Sequence, residues 1–122
     1  MKTSEQQLEN TGRLCLHTIT TKPWSIEVAI EEYRKAGVHG ITVWRNALEG
    51  KSVPAVKQRI QDAGLKVVSL CRGGFFPSIH KRERKKAIEE NMRIIEEAAE
   101  LRAPSIVLVV GADPRQSLEA SR

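Results

Sequence analysis

Twice in this chain a helical stretch ends in glycine and leads directly into an apolar strand, and that recurrence narrows the possible folds more than any other feature. Ala36-Gly37-Val38 precedes Ile41–Val43, and Ala63-Gly64-Leu65 precedes Val67-Val68, a repeat of about 27 residues from Gly37 to Gly64. Four runs read as strands: Leu14–His17, Ile41–Trp44, Val67–Cys71 and Ile106–Val110. They are short, apolar or β-branched at nearly every position, and lack the alternation of a sheet with one wet face. Strands covered on both faces read this way, which favours parallel pairing.

The stretches between them predict amphipathic helices with recognisable ends. In the first, Ser25 caps, Ile26, Ala29, Ile30 and Tyr33 recur at i, i+3, i+4 and i+7, and Gly37 stops the helix. In the second, Ser52 caps, Pro54 sits in the first turn, Val53, Val56, Ile60 and Ala63 share a face, and Gly64 ends it. The third is predicted from Ile79 or His80 to Leu101, with Ile88, Met92, Ile95 and Ala99 turned inward and Pro104 beyond its end. The repeating unit is therefore βα. Successive βα units cross right-handedly and close into either a doubly wound sheet or a barrel.

At 122 residues, 40% hydrophobic and 29% charged, the chain reads as one globular domain with a real core. No apolar run approaches the length of a membrane span, and the polar tail over residues 1–12 lacks the apolar stretch of a secretory signal, so a cytoplasmic protein is expected. Cys15 and Cys71 have no CxxC spacing and read as buried or pocket thiols in a reducing compartment. Phosphate-loop, nucleophile-elbow and HExxH patterns are absent.

Three stretches go beyond generic βα patterning: Cys15–Gly50, Val67–Ser78 and Glu90–Arg122. Trp44-Arg45 and Cys71-Arg72 at strand ends, and Gly111-Ala112-Asp113 after the fourth strand, resemble the N-terminal half of the sugar phosphate isomerase/epimerase group, the xylose isomerase-like TIM barrels. That resemblance implies an α/β fold, a partial TIM barrel of about four βα units with parallel strands over residues 13–122. It also implies a family chemistry in which a divalent metal, held by carboxylates and histidine, helps move a proton or hydride between neighbouring carbons of a sugar or cyclitol. Those ligands come mainly from strands five to eight, so no metal site or cofactor is expected within this chain. A related endonuclease-IV-like branch places zinc-binding histidines in the first half. Here the third strand ends in Cys71-Arg72 and the fourth leads to Gly111, which does not match that pattern.

Active-site groups of βα barrels project from the C-terminal ends of strands. The residues so placed are His17, Trp44, Arg45, Cys71, Arg72 and Asp113, and these are the candidate substrate-binding residues. Tryptophan offers an apolar face to a sugar, arginine a planar fork to a carboxylate or phosphate, and Gly73-Gly74 a close backbone approach. Each also has a structural alternative. His17 could hold a neighbouring loop, Trp44 and Phe75-Phe76 could be packing, the arginines could pair with carboxylates, Cys71 could be an inert thiol, and Asp113 before Pro114 could be a turn residue. No catalytic acid or base is identifiable.

The run His80–Lys86 contributes to a formal charge of +5. It reads as a solvated helical face or as an attractor of anionic substrate, and no nucleic-acid motif accompanies it. An open half barrel leaves strand edges unpaired, so three outcomes are expected: pairing with a second copy, completion by a C-terminal half-barrel partner, or rearrangement to a small doubly wound sheet. The functional expectation is the substrate wall of a sugar isomerase/epimerase-like barrel. The alternative is a non-catalytic α/β module that binds a small molecule or a partner.

Overall fold

The structure, a computed structural model, describes residues 9–121. Of the polar tail, residues 1–8 lie outside the described residues, and 9–12 are exposed and form neither helix nor strand. The element order is β1 (Cys15–His17), α1 (Ile26–Lys35), β2 (Gly40–Trp44), α2 (Val53–Asp62), β3 (Lys66–Gly74), α3 (Lys81–Leu101) and β4 (Ile106–Val109), with short 3-10 turns at Thr18–Thr21 and Arg45–Leu48.

The local signals act as their chemistry requires. Ser25 Oγ accepts from Val28 N at 3.3 Å and Ser52 Oγ from Ala55 N at 3.4 Å, each satisfying one orphan donor of a helix start. Gly37 and Gly64 both follow their helices with positive φ. The third helix starts without a side-chain cap from His80 and ends at Arg102, itself left-handed, two residues before Pro104.

The four strands are all parallel and lie in the order β1-β2-β3-β4. α1 packs on α2 and α2 on α3, so the helices form one layer on one face of the sheet. A doubly wound sheet would reverse its strand order and carry helices on both faces; consecutive order with a single helical layer is the arrangement of a barrel wall. The core lies between these layers, where Ile26, Ile30 and Tyr33 meet Ile41, Val43, Ile60, Leu70, Ile94 and Leu101. Burying each large side chain contributes about 1.5–3 kcal/mol, so this layer binds the sheet to its helices.

The inward face of α3 differs from expectation. Ile88, Met92 and Ile95 are 54%, 60% and 59% exposed, and Ala99 is exposed with them. The buried row is Ile94, Ala98 and Leu101, with Ala87 and Asn91 half-buried. The helix carries two apolar rows one residue apart, about 100° round its axis. Its neighbours, α2 and β3, cover only one of them.

β3 continues three residues past its expected end, through Arg72, Gly73 and Gly74. β4 pairs with β3 alone, and its Val107, Leu108 and Val109 remain exposed. Residues 113–121 form turns and irregular backbone without a helix, so the described residues contain three βα units and a fourth strand without its helix. No helix among them is long and apolar enough to cross a membrane.

Candidate functional site

Strand alternation sets the site. Ile41, Val43 and Leu70 enter the helical core, so the residues between them face the concave side. There Cys15 Sγ lies 3.5 Å from Thr42 Oγ1, which lies 2.9 Å from Ser69 Oγ, a polar row crossing three strands. One layer higher, at the C-terminal ends, stand His17, Trp44 and Cys71, with Trp44 and Cys71 in direct register.

Trp44 Nε1 donates to His17 Nδ1 at 3.1 Å. An accepting Nδ1 carries no proton, which leaves the ring proton of the neutral imidazole on Nε2. The Trp44 backbone N–H donates to Thr18 Oγ1 at 2.9 Å, and Tyr33 Oη donates to the His17 carbonyl at 3.3 Å, so the first strand end is braced from both sides. The Arg72 guanidinium lies 4.7 Å from the Phe75 ring centroid and 5.8 Å from that of Trp44. Such cation–π contacts contribute about 0.5–1 kcal/mol at exposed sites and hold the side chain in place.

Trp44, Cys71, Arg72 and Phe75 line a cavity of about 490 Å³ whose far wall is α3. Burial pushes the Cys71 thiol up, with the neighbouring Arg72 charge opposing it, so the neutral thiol is the favoured form. That fits a pocket wall better than a nucleophile.

Arg45 is committed elsewhere. Its Nε donates to Glu97 at 2.8 Å and one terminal nitrogen to Glu90 at 2.8 Å, locking the turn after β2 onto α3. Partial burial opposes its charge, but the Glu97 and Glu90 carboxylates prevail and hold Arg45 above its ordinary value. Glu90 is held below the usual carboxylate range by Arg93 and then by Arg45.

Asp113 does not line this cavity. Its buried carboxylate accepts from Ile79 N at 2.9 Å, from Arg115 N at 3.0 Å and from the Arg115 guanidinium, tying the loop after β4 to the segment before α3. The Arg115 hydrogen bond, with the Ile79 and Arg115 backbone donors, holds Asp113 far below the usual range. The basic run before and within α3 lies outside the cavity too; Arg84 donates to the Ser78 carbonyl at 2.7 Å.

Several contributors are visible only in the fold, Asn91 and Lys22 among them. Asn91 Oδ1 accepts from Gly74 N at 2.7 Å, and its Nδ2 donates to Gly74 O at 2.9 Å and to Ala87 O at 2.8 Å. A side-chain amide thus serves β3 as a substitute strand partner. Its sequence signal is a lone polar residue in the inward row between Ala87 and Ile94. Lys22, from the loop after β1, also lines the cavity. The described residues contain no group of three or more His, Cys, Asp or Glu side chains placed to hold a metal ion.

Comparison with known proteins agrees with this architecture. The family model for xylose isomerase-like TIM barrels matches residues 30–122. The crystal structure of protein SMc04130 from Sinorhizobium meliloti 1021 is 32% identical, with a TM-score of 0.83 over 93% of this chain and 42% of its own. A xylose isomerase domain containing protein from Salmonella typhimurium LT2 superposes with a TM-score of 0.69 at 14% identity, over 81% of this chain and 37% of its own. A xylose isomerase-like TIM barrel/4-hydroxyphenylpyruvate dioxygenase fusion protein gives 0.72 at 17% identity, over 81% of this chain and 16% of its own. The chain thus spans less than half of each of these structures, and no curated protein matches it. Four parallel strands in barrel order, one helical layer and a match over three quarters of the sequence place the chain in the xylose isomerase-like TIM barrel family.

Proposed function

We propose that this chain forms the substrate-binding wall of a barrel that isomerises or epimerises a sugar or cyclitol. The supporting observation is Trp44, fixed by His17 and flanked by Arg72 at the strand ends, facing a cavity sized for a small molecule. Trp44 and Phe75 supply apolar faces for C–H surfaces and Asn46 a polar edge, while His17, outside the cavity lining, acts on this reading through its bond to Trp44. A divalent metal, which would polarise the substrate's oxygens in the intact barrel, takes its ligands from outside the described residues on this reading.

The exposed row Ile88, Met92 and Ile95 and the open edge of β4 supply surface for a partner, either a C-terminal half barrel or a second copy of this chain. The same surface favours the second reading, a non-catalytic interaction module. A cytoplasmic location belongs to the proposal, in keeping with two free cysteines.

Glucose and myo-inositol are titrated into the 122-residue chain while the Trp44 indole N–H resonance is followed. A saturable shift that Trp44→Ala or His17→Ala weakens is expected. Epimerisation or isomerisation by this chain alone on addition of Mn²⁺ or Mg²⁺ would overturn the wall reading, because it would require ligands and a base within these residues.

A further inference from the structure

Resting on that reading and going beyond it, we infer that the ligand carries an anionic group, a carboxylate or a phosphate, anchored by Arg72, with Lys22 lining the same cavity. The charges around the cavity point this way. Its ionisable lining groups, apart from the Cys71 thiol, are Lys22, Arg45, Arg72 and Glu90. Arg45 is neutralised by Glu90 and Glu97, and Glu90 also accepts from Arg93 at 2.6 Å. Among the described residues neither the Lys22 nor the Arg72 side chain, both exposed, makes a hydrogen bond or ion pair, so the cavity keeps two positive charges with no carboxylate partner.

Arg72 is also built into its position. β3 and β4 pair Cys71 with Val107 and then Gly73 with Leu108, which leaves Arg72 as the extra residue of a register shift. Bulges of this kind re-aim a side chain out of the regular ladder. The Phe75 and Trp44 rings hold the guanidinium, and Asn91 pins both the N–H and the C=O of Gly74 two residues on. Stacking occupies the flat face of a guanidinium and leaves its N–H edge for a two-oxygen acceptor. A side chain already ordered loses less freedom when that acceptor arrives. The basic run of α3 stands outside the cavity and contributes only diffuse attraction, screened by salt.

Four probes separate the possibilities: glucose, gluconate, glucose 6-phosphate and inorganic phosphate. Each is titrated into the 122-residue chain by calorimetry and by the Trp44 indole N–H shift. Gluconate or glucose 6-phosphate is expected to bind at least about tenfold more tightly than glucose, the range of one charge-assisted hydrogen-bonded pair. Preference for gluconate assigns a carboxylate; preference for glucose 6-phosphate, with weaker binding of inorganic phosphate at the same site, assigns a phosphate. Arg72→Gln removes the advantage, Arg72→Lys restores part of it, and Arg82→Gln on the outer basic run leaves it unchanged. If Arg72→Gln loses its native amide dispersion, Arg72→Lys against wild type carries the comparison. Equal affinity for glucose and the anions, weakened by Trp44→Ala and untouched at Arg72, overturns the anion inference and leaves the sugar wall standing. An equal loss from Arg82→Gln also overturns it. Absence of any Trp44 shift with all four probes at millimolar concentration removes the wall reading and this inference together.

Discussion

Arg45 and Arg72 each follow the last apolar residue of a strand end, carry the same guanidinium, and serve opposite purposes. Glu90 and Glu97 close on Arg45 and make it a strut between β2 and α3, while Arg72 rests on two aromatic rings with its charge uncompensated. His17, Trp44, Cys71 and Arg72 were legible as one group because the ends of parallel strands converge at one face of a barrel. Asn91 and Lys22 were not, since their places depend on how α3 and the loop after β1 settle over the sheet. Burial makes the Cys71 thiolate unfavourable, so iodoacetamide at pH 8 should modify Cys71 more slowly than an unstructured cysteine peptide, as followed by mass spectrometry. Equal rates would sink the pocket-wall assignment. Asp113 has its folded pKa depressed, so its contribution to stability is present above the unfolded value, about 3.9, and is lost as pH falls through the folded one. Asp113→Asn should melt at a lower temperature than wild type at pH 7, and the gap should narrow as the pH is taken below about 4. Parallel melting curves across that range would contradict the carboxylate clamp.

At the scale of elements, α1 and α2 keep the limits their caps and glycine stops announced, because those signals act within a single turn. β3 overran its expected end because Gly73 and Gly74 carry no side chain into the space where Asn91 and Val109 approach. A Cβ on Gly74, whose φ is 105°, would stand 2.0 Å from the Val109 carbonyl oxygen. Gly74→Ala should therefore part β4 from β3, read as lost hydrogen-exchange protection at the Phe75 amide, which donates to Val109 O at 2.8 Å. Asn91→Ala leaves two backbone groups of Gly74 without their partner. The expected cost is about 1–3 kcal/mol for each one that water does not reach, measured by urea unfolding. A change below about 0.5 kcal/mol would mean that water replaces the amide freely. The buried face of α3 was misread for a related reason: both of its apolar rows satisfy helical periodicity, and only the position of α2 selects between them.

For the molecule as a whole, the uncovered row of α3 and the open edge of β4 leave apolar surface and an unpaired strand exposed. Exposed apolar side chains beside an unpaired strand favour association. The 122-residue chain should therefore run above monomer mass in light scattering, and Ile88→Lys with Met92→Lys should lower that mass while leaving the far-ultraviolet dichroism unchanged. A sharp monomer for the unsubstituted chain would refute this expectation. Strand composition, serine caps, glycine stops and the βα repeat, all set by neighbours within a few positions, were enough to order the elements and to favour parallel pairing, and parallel pairing by itself gathers the strand ends at one side of the sheet. The turn reading of Asp113 was legible too, since its carboxylate accepts from Arg115 N two residues on; tertiary structure alone decided which arginine is neutralised, that Asp113 also reaches Ile79, and which row of α3 is buried. The partners concerned stand 45 and 52 positions from Arg45 and 34 from Asp113, separations at which local periodicity carries no information about contact.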